Sequence, residues 1–438
     1  MQNSIFQKAE DIRDVIRYLQ KFKNATVVIY LDDKVIDSPL FSSHMKDIAL
    51  LHEAGLKIVL IPGSRRRIDE ILTDAKISWS FHNNVRITTP DAVQLIKMAS
   101  FDVSNMVMTS LAANGITAII GNWVRSRAKG IIDGLDYGAA GEIDKLQTDA
   151  ILTVLNNGFI PIFPCIGWNS VGRPYNISSA NLAQQIAIAL KAEKLFFVMD
   201  NPTINGNNFE TKDSMTFNEN NDIAAMSVED AEYFIEKNDT PLNIPLELAT
   251  QACKNGVTRV HLVDGKIDGV LPTEIFSNLG SGTMIYTSNY GKIRPMQLTD
   301  IPTVLSIMRP AIEKGKLLPR TEKQLEEKQA DYIVYEIDGA IHACSALHFY
   351  QGNQAEIAAV AVDENYAHMG IGQKMITLLL NEAKNKKQES VFILTTQAAD
   401  LFEKIGFKQD TVDSLPEPRK ALWTPERNSK VYRYNLCK

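Results

Sequence analysis

Gly370 and Gly372 stand two apart in a short loop, between an apolar run (Glu356–Val362) and a helical pattern ending near Leu380. Glycines at that spacing let a backbone come close to an anion, and the N–H groups of the following helix end would face it. Ile357, Ala359 and Ala361 alternate with Ala358, Val360 and Val362, which predicts a strand buried on both faces. Met375, Ile376, Leu379, Leu380 and Ala383 recur at helical spacing and make one apolar stripe. These residues fit a phosphate cradle, and they fit an ordinary strand-to-helix turn equally well.

Around that loop the chain supplies the elements it needs. Ser390–Thr396 reads as another buried strand, and Ala398–Phe407 as a short helix stopped by Gly406. Further upstream, strand-like runs at Thr26–Leu31, Lys57–Pro62, Ile116–Ile120, Phe159–Phe163, Lys194–Val198 and Arg259–Val263 alternate with helical patterns such as Ser42–Glu53, Pro90–Asn114 and Ser179–Lys191. That rhythm predicts an α/β domain whose mostly parallel sheet is covered by helices on both faces. Asn201–Asp222 is polar and irregular and reads as a surface excursion. We place domains at 1–285 and 293–438, with residues 286–292 as a linker.

A chain of 438 residues is too long for one ordinary domain. Its net charge of −6 argues against a general binder of nucleic acid or of anionic membranes. No apolar run approaches the roughly 18 residues of a spanning helix. Lys8, Glu10, Asp11, Arg13 and Asp14 interrupt any signal-like apolar region, and a cytoplasmic location is expected. Cys165, Cys253, Cys344 and Cys437 show neither metal nor redox spacing, so no metal is expected.

The strand–glycine loop–helix unit, followed by the LFEKIGF segment, resembles the GNAT-type N-acetyltransferase family. That resemblance implies acetyl-CoA as co-substrate and no tightly bound cofactor. It implies backbone contacts from Val360, Ala361 and Val362, with His368, Met369, Gly370, Ile371 and Gly372 around the pyrophosphate. The family's loop opens on Arg or Gln, whereas this one opens on Ala367. Glu356 matches the family's general base, and apolar neighbours would favour its taking a proton. Thr395 matches a proposed proton donor, and reads equally well as a plain strand residue. N–H groups near Val360 and Val362 would face the carbonyl oxygen as it becomes anionic.

Residues 20–285 resemble the amino-acid kinase fold, acetylglutamate kinase in particular. The match is carried in order by Gly63-Ser64-Arg65, Val85-Arg86-Ile87-Thr88, Tyr175-Asn176-Ile177, Glu274-Ile275-Phe276 and Gly280-Ser281-Gly282-Thr283. The chemistry is missing, however. Tyr30, Asp32 and Asp33 stand where the kinases carry a lysine and two glycines, and Ala180 replaces their catalytic aspartate. Negative charge beside a triphosphate repels it, so kinase activity is not expected.

A kinase-like domain joined to an acetyltransferase resembles the bacterial N-acetylglutamate synthase family. The resemblance implies L-glutamate as acceptor, held by Leu318, Arg320, Arg427 and Ser429, with Arg419 a further candidate. It also implies L-arginine as inhibitor near Glu274, Gly280 and Gly282, and a homo-hexamer interlocked by an N-terminal helix, here Ser4–Phe22. Two other readings stay open: an acetyltransferase with another amino-acid acceptor, and a non-catalytic arginine sensor.

Overall fold

The computed structural model describes residues 16, 22–212, 214–276, 281–287, 291–337, 340–364, 366 and 370–436. The expectations for Gly280, His368 and Met369, and for the N-terminal helix apart from Ile16 and Phe22, lie outside them. The chain divides into two compact units, 1–288 and 289–438.

In the first unit a nine-stranded sheet has six parallel strands running in from one edge: Ala118–Ile120, Ile160–Ile162, Lys57–Pro62, Thr26–Leu31, Lys194–Met199 and Arg259–Asp264, in that spatial order. Thr283–Tyr286 then runs antiparallel to Arg259–Asp264 and parallel to Ile223–Ser227. Alternate side chains of the central strands go to opposite cores. Val28, Val59, Leu195 and Phe197 pack with the helices Ser179–Ala189 and Asn243–Lys254. Ile29, Leu31, Leu60 and Phe196 pack with Phe41–Glu53 and Pro90–Ala113. Both faces are therefore buried, which is why these strands read as continuous apolar runs. The described residues of 201–222 are mostly irregular, with one short strand, Thr216–Phe217; Asn201 and Asn221 take left-handed φ of 52° and 63°, which asparagine tolerates better than most residues.

The second unit holds a seven-stranded sheet in the order Lys292–Pro295, Tyr332–Ile337, Ala340–Tyr350, Gln354–Val362, Ser390–Thr395, Lys430–Asn435, Lys408–Asp410. Its pairs are antiparallel except Gln354–Val362 with Ser390–Thr395. The helix Ile371–Asn385 covers one face and Ile301–Glu313 the other.

The strict alternation predicted for Glu356–Val362 does not hold. Ala346 pairs with Ala358 and Cys344 with Ala361, so two residues, Ala359 and Val360, bulge opposite the single Ser345. Ala359 takes φ 56° to make the bulge. Before it Ala355 and Ile357 pack under Ile371–Asn385; after it Val360 and Val362 do, while Ala359 and Ala361 turn to the opposite core. One inserted residue has swapped the faces, because the side-chain period of a strand is two.

Candidate active site

The bulge sits where the sheet opens. The ladder between Gln354–Val362 and Ser390–Thr395 ends at the pair Glu356–Phe392, and beyond it the two parallel strands part. Among the described residues, the backbone edge from Ile357 onward has no strand neighbour on that side. Val360 and Val362, the residues expected to contact acetyl-CoA, lie on this edge.

Gly370 heads the helix Ile371–Asn385 with φ 63°, a left-handed conformation that glycine adopts without strain. The first intrahelical bond runs from Lys374 N–H to Gly370 O (3.0 Å), and no side chain caps this end. Among the described residues, the N–H groups of Ile371, Gly372 and Gln373 have no side-chain cap. A Cβ on Gly372 would meet only Val362, at 3.7 Å, so packing within the protein does not demand glycine there.

On the opposite face, a cleft open to solvent is lined by Leu318, Arg320, Glu356, Ala358, Arg419, Trp423, Arg427 and Ser429 among others. Four of the expected glutamate-site residues and the expected base therefore share one space. Glu356 is 4% exposed. Its surroundings are not apolar, as the sequence reading had them. Arg419 Nε donates to both its oxygens (2.8 and 2.9 Å), and Tyr350 O–H donates to Oε2 (2.9 Å). Burial first, then the neighbouring carboxylate, pushes the Tyr350 hydroxyl well above its ordinary pKa, so it stays a donor.

Arg427 Nε donates to Ser429 Oγ (3.2 Å) and its terminal nitrogen to Lys316 O (3.1 Å). Asn428, between them, turns at φ 46°, and Trp423 Nε1 donates to Ser429 O (3.0 Å) to fix the turn. Arg320 donates to Leu318 O (3.3 Å). Arg320 and Arg427 meet no carboxylate among the described residues. Burial, with Arg419 and Arg320 nearby, lowers the pKa of Arg427. Three guanidiniums around one carboxylate leave the cleft an excess of positive charge, suited to an acid with two carboxylates.

Thr395 lies outside the lining of this cleft. Its Oγ1 accepts from Ala398 N–H (2.9 Å), which starts the helix Ala399–Ile405. Tyr350 and Lys316 are site residues that sequence reasoning missed. Tyr350 reaches Glu356 because His348 pairs with Glu356 across the sheet, placing Tyr350 two residues along on the same face. Only the register of Ala340–Tyr350 carries that signal.

The first unit has two polar sites. At the end of Thr26–Leu31, Asp33 accepts from Arg66 N–H (2.8 Å), in the first turn of the helix Arg65–Asp74. The chain's own carboxylate thus occupies the helix end that would cradle a phosphate. Asp32, beside it, accepts from Tyr30 O–H (3.2 Å) and is pushed up to about 7, by burial first and then by Asp33. Elsewhere Glu274 is 3% exposed rather than a surface charge. Its oxygens accept from His261 Nδ1 (2.7 Å) and from Gly282 N–H (3.1 Å). Burial lowers His261 to about 4, against the pull of Glu274, so the ring is neutral and its Nε2 is an acceptor. That Nε2 is buried and has no hydrogen-bond partner among the described residues. Burial works to raise Glu274, but the His261 and Gly282 contacts prevail and hold it low. His261, like Tyr350 and Lys316, is a residue the sequence reading missed.

Among the described residues no cluster of His, Cys, Asp or Glu is placed to hold a metal, and no helix is long and apolar enough to cross a membrane.

Fold and site together define a two-domain acyltransferase. The amino acid kinase family pattern matches residues 25–264, and the acetyltransferase (GNAT) family pattern matches 301–407. The amino-acid acetyltransferase of Vibrio vulnificus (strain CMCP6) is 31% identical over 434 residues, covering 94% of this chain and 95% of its own. That of Escherichia coli (strain K12) is 30% identical over 437 residues, covering 98% of each. A crystal structure of N-acetylglutamate synthase from Neisseria gonorrhoeae, complexed with coenzyme A and L-arginine, matches with TM-score 0.81 at 25% identity, over 98% of this chain and 99% of that one. The chain belongs to the N-acetylglutamate synthase family of amino-acid acetyltransferases. It is an N-acetyltransferase that takes acetyl-CoA as co-substrate.

Proposed function

We propose that this enzyme transfers the acetyl group of acetyl-CoA to the α-amine of L-glutamate, the first step of arginine biosynthesis, by direct attack in a ternary complex. The observation that carries this reading is the cleft in which Glu356 faces Arg320, Arg419, Arg427 and Ser429. An α-ammonium cannot attack until it loses a proton, and Glu356 is the carboxylate there to take it. The nitrogen then forms a bond to the thioester carbonyl carbon, whose oxygen becomes anionic and is met by N–H groups near the bulge. As that intermediate collapses the C–S bond breaks and the thiolate leaves. The remaining extra proton on nitrogen is released, and the thiolate takes one up to give the thiol. Thiolate departs readily, so Thr395, whose hydroxyl serves the adjoining turn, is not required as donor. The related enzyme from Neisseria gonorrhoeae has also been crystallised with coenzyme A and N-acetylglutamate, the expected products.

Residues 1–285 act in this reading as a kinase-like domain without phosphoryl transfer that binds L-arginine as feedback inhibitor. The Asp33 carboxylate at the phosphate end speaks against nucleotide binding. The buried pair Glu274–His261, with Gly282 beside it, offers a carboxylate and a neutral ring nitrogen to a guanidinium. The Neisseria gonorrhoeae enzyme, crystallised with L-arginine, supports L-arginine as a ligand. A homo-hexamer is proposed on family resemblance, and light scattering of the purified chain measures it.

The test is thiol release from acetyl-CoA by the full chain, with and without L-glutamate and with and without L-arginine. Glutamate-dependent release that arginine suppresses is expected. Release indifferent to arginine would remove the regulatory assignment and keep the enzyme.

A further inference from the structure

Glu356 and Arg419 are both largely buried, with 6% and 12% of their side chains exposed, and they are each other's ionic partner. A carboxylate has roughly four acceptor sites. On Glu356, Arg419 takes one on each oxygen and Tyr350 takes another on Oε2. The base therefore stands largely occupied before substrate arrives. An incoming ammonium alone would have to approach the carboxylate beside a guanidinium of like charge.

An α-amino acid does not arrive alone in that sense. Its ammonium and its α-carboxylate sit on one carbon, as a compact pair of opposite charges. The Glu356–Arg419 pair is the complement of that unit, anion against cation within a hydrogen bond. We propose that Arg419 is the receptor for the acceptor's α-carboxylate, and that the zwitterion enters by exchanging partners with the Glu356–Arg419 pair. The ammonium goes onto Glu356 and the α-carboxylate onto Arg419. Substrate thereby frees the base that deprotonates it, and an amine lacking an adjacent carboxylate leaves the base locked. Arg320 and Arg427, which meet no carboxylate of their own among the described residues, remain for the side-chain carboxylate. The acceptor class is an acidic α-amino acid. This inference rests on the proposed role of Glu356 in acetylating glutamate.

The test compares L-glutamate with 4-aminobutyrate, which is glutamate without its α-carboxylate, in the wild-type chain and in Arg419→Gln. The wild type is expected to favour glutamate strongly. In Arg419→Gln, kcat/KM for glutamate falls about 100-fold, while that for 4-aminobutyrate does not fall, so the preference narrows. A merely structural role for Arg419 lowers both acceptors in parallel, and that result overturns the proposal. Should Arg419→Gln fail to bind coenzyme A, the wild type decides. Added propionate, a carboxylate supplied separately, is expected to stimulate acetylation of 4-aminobutyrate, and no stimulation overturns the proposal. A wild type that does not acetylate glutamate at all would instead overturn the reading beneath it.

Discussion

At the scale of residues, function depends on which charges are left without partners and which are not. Glu356 holds an arginine and a tyrosine, whereas Arg320 and Arg427 spend their donors on backbone carbonyls and one hydroxyl. Replacing Glu356 by Gln keeps the shape and removes the base. The expected result is a fall in kcat of about 100-fold or more, with coenzyme A binding unchanged by calorimetry. The sequence named this glutamate and both arginines, because the segments around them carry a family pattern. It left Tyr350 and His261 out, since each meets its partner through strand register and packing rather than through a local motif. His261 meets Glu274 across a turn of the fold, and nothing local marks a histidine as buried and neutral.

At the scale of elements, the bulge at Ala359 and the carboxylates after Thr26–Leu31 do opposite things to the backbone. The bulge turns a strand edge outward, at the cost of a left-handed alanine. Ala359→Val puts a β-branched residue at φ 56° and is expected to destabilise the protein by about 2 kcal/mol. Ala359→Gly is expected to be tolerated, and thermal unfolding of the two variants checks the contrast. The carboxylates close a helix end instead. Asp32 rises to about 7 in the fold, against an ordinary value of roughly 4 when unfolded. Between those values the folded state binds more protons, so this group's contribution to stability falls as pH rises from about 4 to 7. Asp32→Asn removes that loss. Its thermal midpoint is expected to exceed the wild type's at pH 8 and to converge with it near pH 4. The strands themselves were legible in outline, since burial on both faces leaves long apolar runs. The bulge was not, because Ala-Ala-Val is as apolar on one face as on the other, and only pairing with Cys344–Ala346 exposes the extra residue.

At the scale of the whole molecule, one unit carries the acetyltransferase (GNAT) pattern, and the other sets a carboxylate at a helix end and keeps a buried polar pair. If arginine acts at Glu274, the Glu274→Gln chain should still release thiol from acetyl-CoA with glutamate. It should do so without inhibition by arginine, and without the rise in thermal midpoint that a ligand binding only the folded state confers. Equal inhibition of both proteins would move the arginine site elsewhere. The two-unit organisation was legible because the α/β rhythm stops at a short polar segment and then restarts. How the amino-acid acceptor is chosen was not, since Arg320, Arg419 and Arg427 converge only through folding. The measurement that bears most directly on the account is therefore kcat/KM for L-glutamate against L-glutamine, with saturating acetyl-CoA and the purified full chain. Arg320 and Arg427, which meet no carboxylate among the described residues, predict a preference for glutamate of about 100-fold or more. Equal use of the two acids, or turnover of glutamine alone, would contradict it.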